Sequence, residues 1–190
     1  MSGTLATEAT RRRLTARQAD TVRRLTEAGV EEVRESGYET LSIRDVARRA
    51  GVAPATAYTY FGSKDHLLAE IFWRRLSALP PVAEGDDTTG RKAEVIAVLR
   101  ELALLVSEEP ELAAGCTAAM FGSEPDVRQL RLQLGRQIHD RIDSAAGRGS
   151  PQGRLLELAF FGAMVEAGLG YTTYEHVADR LAEAAELIMD

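Results

Sequence analysis

Residues 42–61, SIRDVARRAGVAPATAYTYF, read as two short helices joined by a tight turn. Ser42 is placed to cap the first helix, and Asp45 three residues on completes an S-x-x-D box serving the free amide donors of the first turn. Ile43, Val46, Ala47 and Ala50 recur at helical spacing and give that helix one apolar face. Gly51 accepts positive φ without a Cβ penalty, and a turn of only Gly51, Val52 and Ala53 sends the next helix off at a steep angle. Small Ala47 lets the two helices approach closely. Pro54, at the first position of the second helix, gives up an amide that would have no partner there. From Ala55 to Tyr60 the second helix makes about two turns, enough to enter the major groove of DNA.

On the N-terminal side, Thr15 and Gln18 form a capping box opening a helix through about residue 36, with Val22, Leu25, Gly29, Val30 and Val33 on its inner face and Gly37 as its stop. Tyr38 and Leu41 are expected to fill the small core between this helix and the motif. On the C-terminal side, Ser63 caps a helix whose apolar positions are Leu67, Leu68, Ile71, Phe72 and Leu76, ended by Pro80 and Pro81. Further helices are expected at 92–107, 112–121, 125–146, 154–173 and 175–189, with 82–90 and 148–153 as loops. The fold class is therefore all-α, about nine helices, with no strand required. Residues 1–62 make an N-terminal arm and a three-helix DNA-binding domain, and 63–190 a helical bundle. The helix at 154–173 is apolar almost all round, through Leu155, Leu156, Leu158, Phe160, Phe161, Met164, Val165 and Leu169. Such a helix is buried on every side, and a second subunit is its natural cover.

The 190 residues carry a net charge of −6, which is unpromising for a nucleic-acid partner until the chain is divided. Residues 1–76 hold 13 Lys and Arg against 10 Asp and Glu, net +3, whereas 77–190 hold 10 against 19, net −9. One end suits phosphate and the other does not. Arg11, Arg12 and Arg13 lie in a tail without helical periodicity, which is either simply solvated or ordered on DNA. No apolar run is long enough to span a membrane, the polar N-terminus has no signal core, and the single Cys116 excludes an internal disulfide, so a cytoplasmic protein is expected. Cys116, His66, His139 and His176 stand in no nucleophile or metal-binding pattern, so no catalytic residue, metal or cofactor is assigned.

Contacts with DNA divide into those that position and those that read. Ser42 and Arg44, at the start of the first motif helix, suit phosphate, because free helix amides and guanidinium both favour anions. Arg48 and Arg49 are either solvated or additional phosphate contacts. Ala55, Thr56 and Thr59 are the small side chains expected at base edges, their methyl groups matching the thymine methyl.

The run from A-G-V at 50–52 through Y-x-Y-F at 58–61 to S-K-D-x-L at 63–67 resembles the DNA-binding signature of the TetR (tetracycline-repressor) family. The match covers about the first third of the chain and departs from the usual pattern at Ala53, Ala55 and Ala57, in place of Ser, Gly and Leu. The resemblance implies phosphate contact through the Tyr58 hydroxyl and through Lys64, with Tyr60 shared between DNA and core. It further implies a homodimer through the last two helices, a double-stranded operator of palindromic form, and a small-molecule pocket in the C-terminal bundle. Candidates for its lining are Phe72, Leu102, Leu105, Cys116, Met120, Phe121, Ile138, Phe160, Phe161 and Met164, with His139 as a polar group, and a lining so apolar suits a hydrophobic effector. The expected function is a ligand-released repressor; the alternative is a helical ligand-binding or protein-interaction bundle without sequence-specific DNA binding.

Overall fold

A computed structural model describes residues 15–82, 88–122 and 125–189, apart from the side chains of 88, 89 and 126. The described residues form nine helices and no strand: α1 (Ala16–Thr40), α2 (Ile43–Arg49), α3 (Pro54–Tyr60), α4 (Lys64–Ala78), α5 (Thr88–Ala103), α6 (Pro110–Phe121), α7 (Pro125–Ala146), α8 (Pro151–Gly168) and α9 (Tyr174–Ile188). The Arg11–Arg13 tail lies outside the described residues. By packing, the chain divides into one unit of residues 1–78 and 109–133 and another of 79–108 and 134–190. This partition differs from the division at 62/63 drawn on the sequence, because α4 and α6 pack with α1.

In the first unit, Val22, Leu25, Ala28, Gly29 and Val33 line the buried face of α1, and the Thr15–Gln18 capping box closes as its sequence implies. α1 and α4 approach closely at Gly29, where a Cβ would come 2.9 Å from Leu67 Cδ2 and the leucine would have to shift. Gly37 does not end α1 cleanly. Its φ of 74° and ψ of 166° put a kink there, and a further short turn continues to Thr40. That backbone region is open to glycine almost alone. Glu109, just ahead of α6, holds this helix to its neighbours: its Oε1 lies 3.0 Å from Arg34 Nη2 on α1 and 2.7 Å from Arg75 Nη2 on α4. Burial pushes the Glu109 carboxyl up, but the two guanidiniums outweigh it and hold the carboxyl below its ordinary range. Ala69, Val127 and Leu130, with Trp73 against them, join α4 to the first turns of α7.

In the second unit, α9 packs against α5 and α8. Val95, Val98, Leu99 and Leu102 of α5 and Val177, Ala178, Leu181 and Ala185 of α9 are buried. Arg141, nearly buried on α7, donates to Pro80 O at 2.9 Å and to Glu101 at 2.5 Å, so its charge is answered within the unit. The helix read at 154–173 is displaced. It begins at Pro151, with Ser150 Oγ accepting from Gly153 N at 3.0 Å, and ends at Gly168, where the Gly170 and Tyr171 amides turn back on Ala167 and Glu166. The expectation that this helix is buried on every side does not hold within the chain. Leu156 and Phe160 are buried, whereas Leu155, Leu158, Phe161 and Leu169 are exposed, Leu158 to 72%. The helix expected over 92–107 likewise stops at Ala103, because a tight turn, Ser107 N to Leu104 O, precedes Pro110.

Two glycines give opposite expectations. Gly37→Ala, at a backbone conformation closed to alanine, lowers stability by roughly 1–3 kcal/mol, whereas Gly135→Ala, inside α7 with nothing within 4 Å of the added Cβ, raises it by roughly 0.5–1 kcal/mol. Urea unfolding of the two variants checks both signs.

Candidate nucleic-acid interface

Ser42 caps α2 as read: its Oγ accepts from Asp45 N at 3.2 Å. The Asp45 side chain does not complete a reciprocal box but takes the Ser42 hydroxyl proton, Oγ to Oδ2 at 2.5 Å, and this hydrogen bond is the main reason its carboxyl sits below the ordinary value. The helix ends in a Schellman turn. Gly51 N donates to Arg48 O at 3.2 Å and Val52 N to Ala47 O at 2.9 Å, with Gly51 at φ 62°. α3 follows after Ala53, which offers no side-chain cap, and begins on Pro54. Of α3 only Ala57 is buried, and Phe61 just beyond it is 1% exposed, its ring edge-on to His66 at 5.5 Å. Ala55, Thr56, Tyr58 and Thr59 are left exposed on one short helix, with Tyr60 half-buried. The Thr59 hydroxyl is bound to Ala55 O at 3.0 Å and so presents chiefly its methyl.

The structure separates the three arginines of α2, of which the sequence singled out Arg44 for phosphate and left Arg48 and Arg49 open. Arg48 pairs with Asp45 at 2.8 Å. Arg49 reaches back to α1, Nε to Glu32 Oε2 at 2.7 Å and Nη1 to Glu35 Oε1 at 3.0 Å, and these carboxylates raise its pKa still further, Glu35 foremost. Arg44 is exposed with no carboxylate hydrogen-bonded to it among the described residues. Lys64 is also committed within the protein: Nζ donates to Tyr38 O at 2.8 Å and to Glu39 O at 3.1 Å and lies 4.1 Å from the Tyr38 ring centroid. Tyr38 in turn donates its hydroxyl to Asp65 at 2.9 Å, and burial, with Asp65 next, pushes its pKa up to about 12. None of these long-range pairs leaves a signal in local sequence.

The residues expected to line an effector pocket divide between the units. Phe72, Cys116, Met120 and Phe121 belong to the first, and Leu102, Leu105, Ile138, His139, Phe160, Phe161 and Met164 to the second. Leu102, Cys116, Ile138 and Phe160 are buried, whereas Phe121 is 65% exposed and Phe161 also lies at the surface, edge-on to Phe160. His139 is exposed too and pairs through Nδ1 with Glu157 at 2.8 Å; that carboxylate raises its pKa. Cys116 donates weakly to Leu68 O at 3.8 Å, and burial pushes the thiol up to about 12. A groove of about 640 Å³, where the sequence suggested nothing, lies between α1 and the end of α2 and is bordered by Arg24, Glu27, Glu31, Arg34 and Arg49.

Residues 25–71 match the family model described as bacterial regulatory proteins, tetR family. An HTH-type transcriptional regulator of Mycobacterium tuberculosis is 46% identical over 177 residues, covering 91% of this chain and 82% of that protein. This chain belongs to the TetR family. It is a DNA-binding transcriptional regulator. The TetR fold extends through the C-terminal helices: a crystal structure of a TetR regulator from a Rhodococcus species superposes with a TM-score of 0.69 at 23% identity, covering 87% of this chain and 95% of that one. A second, the regulator FadR of Bacillus subtilis in complex with stearoyl-CoA, has a TM-score of 0.58 at 18% identity and covers 88% and 97%. No helix among the described residues is long and apolar enough to cross a membrane.

Because Arg44, among the described residues, has no carboxylate hydrogen-bonded to it, unlike Arg48 and Arg49, Arg44→Ala is expected to reduce the slope of log K against log salt by about one, and Arg49→Ala by less than half as much. Titration against duplex DNA at several salt concentrations reads both. Cys116 is expected to stay unreactive toward an aromatic disulfide reagent at about pH 8 in the native protein and to react fully in urea, since burial keeps it a thiol.

Proposed function

We propose that this TetR-family regulator binds a palindromic operator as a homodimer, represses transcription there, and is released by a small hydrophobic effector. The observation that carries the reading is the exposed face of α3, formed by Ala55, Thr56, Tyr58 and Thr59, together with the exposed Arg44 of α2. Ser42 and Tyr58 serve phosphates in this reading, and Ala55, Thr56 and Thr59 the base edges. Lys64 and Tyr60 contribute from the rim, Lys64 by exchanging its carbonyl partners for phosphate. Residues 1–62 do the reading, and 63–190 hold the effector and the second subunit.

Dimerisation is supported by α8. Leu155, Leu158 and Gly162 are exposed at intervals of three and four residues, with Phe161 beside them and Leu169 just past the helix end, an apolar stripe of the sort a helix keeps for a partner. Two reading heads related by two-fold symmetry require a palindrome with half-sites about one helical turn, or a multiple of it, apart. For the effector, the similarity to a fold that holds stearoyl-CoA in FadR favours a long acyl chain over a polar metabolite. An effector that prefers one tilt of α4 alters the spacing of the two heads, and DNA must then weaken the effector by the same factor. The protein acts in the cytoplasm, by binding and without a reaction of its own.

The test combines selection of a duplex from a random pool with light scattering. A protected palindrome and a dimeric mass are expected for the wild type, and Leu158→Glu is expected to give a folded monomer whose operator affinity is lower by more than about tenfold. A wild-type monomer that protects a single half-site would overturn the dimeric reading.

A further inference from the structure

The turn between α2 and α3 exposes two carbonyls that the Schellman motif itself does not use, those of Ala50 and Gly51. Both are taken by one side chain. Arg24, from the middle of α1, donates Nη2 to Gly51 O at 3.0 Å and also to Ala50 O. The contact spans 26 and 27 residues of sequence, and it reaches the chain only three residues before α3 begins.

Few other restraints act on the start of α3. Ala53 provides no side-chain cap, and Ala57 is the only buried residue of the helix. The direction in which α3 leaves the turn is therefore set by Ala57 and Phe61 at its far end and by whatever holds the turn at its near end. Arg24 holds the near end. A guanidinium suits this because its rigid plane fixes the hydrogens of the single Nη2 that meet both carbonyls. The surroundings disfavour a direct role on DNA. Arg24 borders the groove with Glu27 and Glu31, and the other two cations there are committed, Arg34 to Glu31 and Glu109 and Arg49 to Glu32 and Glu35. A phosphate entering that groove would meet carboxylates.

We propose that Arg24 is a positioning residue for DNA recognition: by gripping the Ala50 and Gly51 carbonyls it orients α3 without touching the nucleic acid. A group in this role affects reading more than attachment. Correct bases are contacted only at the right helix angle, whereas phosphates are met over a range of angles. The inference rests on the assignment of α3 as the reading helix.

The experiment compares wild type, Arg24→Met and Arg24→Lys on two duplexes, one selected from a random pool by the wild-type protein and one of scrambled sequence, across a salt series and alongside thermal unfolding. Methionine keeps the length of the side chain and loses its donors, and lysine keeps a cation able to reach a carbonyl. Arg24→Met is expected to bind the selected duplex about tenfold more weakly, with its affinity for the scrambled duplex and its salt slope unchanged, and Arg24→Lys to recover part of the loss. Equal loss on both duplexes with a slope lower by about one would place Arg24 on a phosphate and overturn the proposal. So would a loss that follows the folded fraction alike in both variants, or undiminished discrimination in Arg24→Met. If the wild type itself fails to prefer the selected duplex, it is the assignment of α3 that falls, and this inference with it.

Discussion

The α2–α3 unit depends on a change of direction made in three residues. Gly51 at φ 62° closes α2, the amides of Gly51 and Val52 are spent on Arg48 and Ala47, and Pro54 starts α3. A left-handed residue here is nearly free for glycine and costs any other residue roughly 1–2 kcal/mol. The turn also has to be anchored, because a seven-residue helix with one buried alanine has little packing of its own. Core contacts from Ala47, Ala57 and Phe61 anchor one side, and the Arg24 guanidinium meets the other.

Charge in the first unit is sorted by pairing. Its excess of positive residues is modest, and most cations that look available in the sequence are engaged within the fold. Arg49 ties α2 to α1, Arg34 and Arg75 meet on Glu109, and Lys64 covers carbonyls at the end of α1. The larger effect of these partly buried ion pairs is to decide which cations are left for a polyanion. Arg44 stays exposed at the N-terminal turn of α2, where the helix amides add to its attraction for phosphate.

The second unit poses the opposite problem, too much apolar surface rather than too much charge. α8 buries Leu156, Phe160 and Ala167 against its own chain and leaves Leu155, Leu158 and Leu169 facing out. A helix apolar on two faces has two neighbours to satisfy, and one chain supplies only the first. α9 is different: its buried residues form a single stripe through Val177, Leu181 and Ala185, while Arg180 pairs with Glu166 at 3.2 Å and Arg100 meets Asp179 on the polar side.

What the sequence by itself determined is what forms within a few residues: the caps at Thr15, Ser42 and Ser63, the glycine turn, the proline opening α3, and the all-α class that follows from one apolar face per helix. The family signature is legible for the same reason, being a string of such local devices. Even the misplaced start of α8 had a local signal in Ser150 and Pro151, masked by the surrounding glycines. What only the tertiary structure decided is which side chains are free to act. Arg24 meets Gly51 across 27 residues, Lys64 meets Tyr38 across 26 and Arg49 meets Glu32 across 17, so each charge is committed or released by helix packing. A hydrogen bond depends on separation in space. When the partners lie several turns apart on different helices, only the packed core brings them within 3 Å of each other.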